Sequence, residues 1–599
     1  MRFKINKINE IKQGSYVFIA LVLSFLIISP LSYYWAKFGF DTTDTGFFLY
    51  TQNKINFGTL NETGPNLYWI GSDLFGSLWL KLIGDPSLHK ARIGAYLLDG
   101  LIFFIIHFSL LNILNNRIKA INITFFTYLL FGAINIFPII NYDLAPLLPI
   151  SLLFFILTRI VYKNENFKSY YFIVGILLYL MIFMRLPLIL LALSFILIFI
   201  FQNKNQKKAV LLLIIIGFIF IQILFLRFEF FRNPTFLMYR TIGSTFYKLL
   251  GHNDSTTGSL SLLSSNNYGV SSQILYWLRG YIRIIVFTFL ITYFLYFLLK
   301  KTSKKFQTIS HWSLFLSLVV FLFLPISNIF KYNLETIQNQ ALNIYLLSGL
   351  TLFFLLFFSL KTGIHQSLIL FLASLFILFP LGSNSFEKKL ILTFPLIIPA
   401  LYFIYLSTPV VLLNEKLNLF YKSLIWLSKL IFIPIIIITI KNYKNYPYKD
   451  SEISSLNKTL QISPLKNIQT TKKRGDEIES VVSYLLKNKK SDSKILCVGR
   501  ISILNYLTKT DGIFDYPWPT YLNISYFQSR IDILLNKTNK LDFIVFPLYD
   551  VTQENWEQRH LPLDFNPNYI NYVIDVANKN GYKKFYTTEY FMIMKSSRY

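Results

Sequence analysis

One cysteine, Cys497, stands in a chain of 599 residues. No internal disulfide and no cysteine-based metal cluster can form. Charged residues are also scarce, at 15% against 54% hydrophobic. No G-x-G-x-x-G and no P-loop follow the apolar strands of the C-terminal part, so they offer no nucleotide site. The first apolar run, about 15–35, lacks a small-x-small cleavage site and is followed by more runs. It reads as a membrane span, not a cleaved signal peptide. No internal repeat is visible. Asn-x-Ser/Thr triplets occur, as chance alone expects in so Asn-rich a chain.

What the chain has in abundance is long apolar runs. Mean hydropathy is +0.48, and runs of about 20 apolar residues recur over the first three quarters. Each can cross a hydrocarbon core about 30 Å thick. We expect thirteen transmembrane helices, at about 15–35, 93–114, 120–138, 144–161, two short ones within 170–201, then 209–226, 280–299, 309–326, 341–360, 367–380, 390–406 and 424–441. The break inside 170–201 falls at Met184-Arg185-Leu186-Pro187. The net charge of +28 raises the question of nucleic acid. Lys and Arg gather instead in alternate short loops, beginning with Arg2, Lys4, Lys7 and Lys12, which is the positive-inside pattern. We therefore expect no nucleic-acid partner. The N-terminus lies in the cytoplasm and the C-terminus outside. The Lys/Asn-rich composition points to an AT-rich bacterial genome, making this a multi-pass inner (plasma) membrane protein.

Two long loops face outward in this topology, 36–92 and 227–278. In the first, Asp44-Thr45-Gly46 reads as a helix start, and Tyr68–Leu82 as a second helix lying along the interface. Composition changes near Lys441-Asn442-Tyr443. Residues 1–443 then form a transmembrane domain and 444–599 an extracytoplasmic α/β domain. In the latter we expect a helix at Ile478–Lys487, a buried strand at Lys494–Gly499 and a helix at Ile503–Leu507. A second buried strand at Leu541–Leu548, a helix from Pro567 ended by Gly581, and a last strand or hairpin at Phe585–Met594 follow.

The topology brings Asp41, Asp44, Asp143, Arg185, Arg279, Arg283 and the pair Ser383-Asn384 to one outer face. Acids at a membrane boundary are costly and need a reason. Sugar transfer from a lipid phosphate supplies one. The acceptor hydroxyl needs a carboxylate base, and the departing phosphate needs cations, from Arg, Lys or a metal. A single carboxylate acting as base inverts the anomeric centre. Structural alternatives stand beside each residue. Asp44 can be the N-cap of its helix and Asp143 the cap of the fourth span. Arg185 can snorkel beside a helix break, and Arg279 and Arg283 can belong to a basic and aromatic belt with Trp277. His252 and Asp254 fall short of the three or four ligands that a metal site needs. No cofactor is certain; a divalent cation is the open candidate.

The stretch Phe38–Tyr50, F-G-F-D-T-T-D-T-G-F-F-L-Y, places its acids just after span 1. In this it resembles the C-type (GT-C) membrane glycosyltransferases, among them the protein O-mannosyltransferases and lipid A aminoarabinose transferases. Thirteen spans, interfacial helices in the first loop, an acid in the second outer loop and an outer C-terminal domain are also similar. The resemblance implies Asp44 or Asp41 as catalytic base and Asp143 as an assisting acid. Arg185, Arg279, Arg283 and Asn384 are donor-side candidates by placement alone. The sequence has D-x-x-D where that group has adjacent acids. It lacks the W-W-D-Y-G motif of oligosaccharyltransferases, which argues against en bloc oligosaccharide transfer; Asp515-Tyr-Pro-Trp518 is a different sequence. The implied activity moves one sugar from a polyprenyl-phosphate donor to a glycan, lipid or protein acceptor, with membrane lipids around it. The rivals are a lipid-linked sugar flippase or transporter, and a glycan polymerase or ligase.

Overall fold

The computed structural model describes residues 29–59, 70–114, 138–203, 205–226, 366–381, 450–514, 516–522, 524–538, 541–551 and 567–596. Isolated positions between 120 and 124 and between 389 and 400, together with 278, 282 and 556, are also described. Expectations for the N-terminal basic segment, most of the third, twelfth and thirteenth spans, the loop 227–278 and the spans between it and residue 365 lie outside these.

The segment 36–92 holds two helices, α1 (Asp44–Phe57) and α2 (Ile70–Ile83). α3 (Leu88–Leu114) follows, then α4 (Leu147–Lys163), α5 (Lys168–Met184), α6 (Ile189–Gln202) and α7 (Lys207–Leu226). α8 (Gln366–Leu378) packs on α6, where the Phe195 and Phe371 rings stack 4.1 Å apart. Among the described residues two helices are long and apolar enough to cross a membrane, 88–113 and 207–225. α5, the 186–202 run and α8 are shorter apolar helices. The interruption within 170–201 falls at Arg185, whose extended backbone ends α5, and Pro187 then sits in a single 3-10 turn. Proline cannot supply the amide that a continuous helix requires there.

α5 and α7 lie almost backbone to backbone. A Cβ on Gly175 would collide with the Ile214 carbonyl, and one on Gly217 with that of Phe172. Small residues permit this approach, since a helix backbone can come close only where no side chain intervenes. The far side of α7 leaves Leu212, Ile216, Ile219, Phe220, Ile223 and Leu224 exposed.

The C-terminal part opens with a short antiparallel pair, β1 (Lys458–Thr459) and β2 (Gln469–Thr470), then α9 (Lys472–Asn488). α9 starts six residues before the expected helix because the Thr471 hydroxyl caps it, accepting from Arg474 N at 3.4 Å. A five-stranded sheet follows from β3 (Lys494–Cys497), β4 (Asp511–Gly512), β5 (Phe543–Pro547), β6 (Tyr582–Thr587) and β7 (Phe591–Ser596). Its order is β4-β3-β5-β7-β6. β3 runs parallel to both neighbours, while β5, β7 and β6 are antiparallel. α10 (Ile503–Leu507), α11 (Ile524–Asp532) and α12 (Pro567–Lys579) complete it. Ile495 and Cys497 face one core and Leu496 and Val498 another, the two-residue alternation of a strand covered on both sides. That double burial explains the unbroken apolar run in the sequence.

The core beneath α9 and α10 also contains Phe40, Phe47, Phe48, Leu80 and Leu88. The segment 36–92 therefore shares a hydrophobic core with the sheet, and this sharing positions the candidate site.

Candidate active site at the junction of helices and sheet

The loop before α1 is built around Asp41. Its carboxylate accepts from Thr43 N at 3.0 Å, Thr43 Oγ1 at 2.6 Å and Thr45 N at 2.8 Å. It is 2% exposed. Asp41 thus does the capping that the sequence alternatively suggested for Asp44. Asp44 is the first residue of α1 and is half-buried. An acid in the first turn also sits favourably in the helix dipole.

One turn further along α1, Phe47 meets the rings of Trp518 and Tyr516 at 4.8 and 5.6 Å, and Arg500 lies over Trp518 at 5.0 Å. Next to it, Phe48 meets Tyr142 at 5.4 Å. Tyr142 leads to a second cluster. Asp143 is held in the turn before α4, where Asn141 Oδ1 accepts from Asp143 N at 2.8 Å and Leu144 N at 3.1 Å. Lys389 Nζ donates directly to Asp143 Oδ2. Arg185 Nη1 stands 3.9 Å from Asp143 Oδ1, and Arg185 Nη2 donates to Leu381 O at 3.0 Å. Lys389 and Arg185 lie over the Tyr142 ring at 4.7 and 5.8 Å.

All three charged side chains are at most 2% exposed. Lys389 and Arg185 both flank the Asp143 carboxylate. Among the described residues Arg185 Nη1 has no hydrogen-bond acceptor. A buried donor left unmade costs about 1–3 kcal/mol. A buried guanidinium with an open donor is what an anion would complete.

The structure therefore brings Asp143 and Arg185 together and ties their turn, through Tyr142 and Phe48, to the helix that Asp44 begins. Arg279, Arg283 and Asn384 lie outside the described residues. Asn384 falls in sequence between Leu381 and Lys389, both of which reach the cluster. Lys389 was missed by the sequence reading. Its signal was present: the expected topology places Lys388-Lys389 in an outer turn, where few basic residues are expected.

Also missed was Asp73, at 0% exposure on α2. Burial, offset in part by the Gln52 amide, pushes its carboxyl well above the usual range. Gln52 donates to Ile140 O at 2.8 Å, three residues before Asp143. Burial likewise pushes the Cys497 thiol up, so it is an inert strand residue.

No protein-family model matches the chain, and no curated protein matches it. Among solved structures it is similar to the apo oligosaccharyltransferase of Archaeoglobus fulgidus, at 13% identity and TM-score 0.43, over 89% of this chain and 69% of that one. It is also similar to the same enzyme tethered by a disulfide to an acceptor peptide with the NVT sequon. There the identity is 11% and the TM-score 0.44, over 98% and 74% of the two chains. Residue correspondences do not follow from likeness at this level.

Proposed function

We propose that the chain is an integral membrane glycosyltransferase of GT-C architecture, with thirteen spans and its site on the outer face. The observation that carries this reading is the buried cluster of Asp143, Arg185 and Lys389, joined through Tyr142 and Phe48 to the helix headed by Asp44. In the reading, residues 1–443 form the membrane domain of an inner-membrane protein. Residues 444–599 form the extracytoplasmic domain. The donor is a polyprenyl-phosphate sugar; the acceptor is a hydroxyl on a glycan, lipid or protein. Exposed apolar side chains along α7 suit lipid.

The acceptor oxygen attacks the anomeric carbon, and the bond from that carbon to the phosphate oxygen breaks. The bonding pair leaves with the phosphate, and the acceptor proton passes to Asp44. Arg185 and Lys389 offset the charge growing on the phosphate, with Arg279, Arg283 and Asn384 on the same donor side. Asp143 keeps the two cations in place. Asp41 holds the loop, because its oxygens already accept three hydrogen bonds.

The test is transfer by purified protein in vesicles loaded with polyprenyl-phosphate sugar and a hydroxyl acceptor. Asp44→Asn should lower kcat about 100-fold or more, the usual worth of a general base, with donor KM little changed. Wild-type turnover in a well-folded Asp44→Asn protein would remove Asp44 from the role. Passage of the lipid-linked sugar across the bilayer without transfer would establish the flippase instead.

A further inference from the structure

The loop that carries Asp41 and Asp44 is gripped from two sides by buried arginines. From α3, Arg92 Nη1 donates to Gly39 O at 2.8 Å and Phe38 O at 3.0 Å, and more weakly to Ala36 O at 3.4 Å. From α9, Arg474 Nη1 donates to Phe40 O at 3.1 Å. Arg474 also pairs with Asp450 at 3.0 Å, and Asp450 Oδ2 accepts from Phe40 N at 2.7 Å. One C-terminal ion pair thus holds both peptide groups of Phe40. Three further bonds fix the same strand of chain. Gly39 N donates to Gln469 O at 2.8 Å, and Gln469 N to Lys37 O at 2.7 Å. Thr42 Oγ1 donates to Val551 O at 2.6 Å.

Arg92, Arg474, Asp41 and Asp450 are each at most 2% exposed. Two positive and two negative groups balance, and Arg92 lies within electrostatic reach of both carboxylates. Taking four charges out of water is expensive, and apolar side chains would glue two surfaces together at lower cost. What the charges add is direction: each bond fixes a particular peptide group between residues 36 and 42. Asp44 lies two residues beyond that segment, and the Asp41 turn transmits the register to α1.

We propose that Asp450 and Arg474, with Thr42, are positioning residues that set Asp44 from the C-terminal domain. The inference rests on the glycosyltransferase reading. The C-terminal domain is then a working part of the catalytic centre, and the reaction depends on its docked state.

The experiment uses the full-length protein in vesicles. Arg474→Lys, Asp450→Asn and Thr42→Val are compared with wild type for donor kinetics and for amide exchange over residues 38–50. The expected result is exchange faster by about tenfold in that segment only, as local opening becomes easier. With it, kcat should fall about tenfold or more with donor KM within about twofold, because a displaced base costs rate more than binding. Thr42→Ser should restore both. Thr42→Val decides the question where the ion-pair variants fail to fold, since it removes one hydroxyl and keeps the shape. Unchanged exchange, or faster exchange with wild-type kcat, overturns the proposal. Asp44→Asn and wild type run alongside separate the two ideas: wild-type turnover in Asp44→Asn removes Asp44 as the base, whereas no transfer by wild type defeats the transferase reading itself.

Discussion

Two acids three residues apart, Asp41 and Asp44, differ in what surrounds them at the start of α1. Asp41 spends its oxygens on Thr43 and Thr45. Asp41→Ala should destabilise the protein by about 2 kcal/mol, the upper range for a lost cap. A thermal melt in detergent checks this, with Asp44→Asn expected to stay near wild type. Lys389→Met should raise donor KM about tenfold, because a charge-assisted contact of this kind is worth roughly 1.5–3 kcal/mol; initial rates against donor concentration measure it. The sequence allowed the acids to be chosen by topology, since carboxylates at a bilayer edge are rare and costly. It hid Arg474 in the Lys472-Lys473-Arg474 run, which has the composition of a solvated helix face yet is 0% exposed at its third residue.

At the scale of elements, the sequence located helices and strands well wherever a cap, a proline or a double-faced core set the boundary. α10 begins and ends where expected, and Gly581, at φ +80°, follows α12 directly into β6. The two-residue strands β1, β2 and β4 were illegible, because so short a segment has no periodicity to read. Pairings between elements were illegible too, since close approach depends on what faces a glycine. The α5–α7 contact is the clearest case. Gly175→Leu drives a side chain into the Ile214 carbonyl, and both backbones would have to part. Overpacking usually costs about 1–3 kcal/mol, and here rigid backbone stands opposite. We expect a lower melting temperature and faster amide exchange along α5 and α7, with exchange in β3 and β5 unchanged.

The molecule as a whole is organised around a junction that no local pattern announces. Residues 36–59 follow the first long apolar run in sequence, yet several of their bonds go to residues more than 400 positions away. Tyr50 donates to Phe514 O, Lys54 to Gly512 O at 2.7 Å, and Thr59 to Asp511 at 2.9 Å. Gly46 lies against α10 so closely that a Cβ there would stand 2.7 Å from Ile503 N. A shared core and several buried polar bonds couple the two parts more strongly than an ordinary interdomain contact, which leaves relative motion as the default. They should therefore unfold together. In wild type, calorimetry in detergent should show one transition, and amide exchange in α1 and β3 should rise at the same temperature. Gly46→Val strains the coupling at its closest point. Its β-branched side chain meets the Ile503 backbone, which cannot step aside as a flexible side chain would. The sheet and the helices should then melt in two transitions, with α1 following the earlier. Two transitions already in wild type would mean that the junction is a docking contact, and that the segment 36–59 keeps its shape without the sheet.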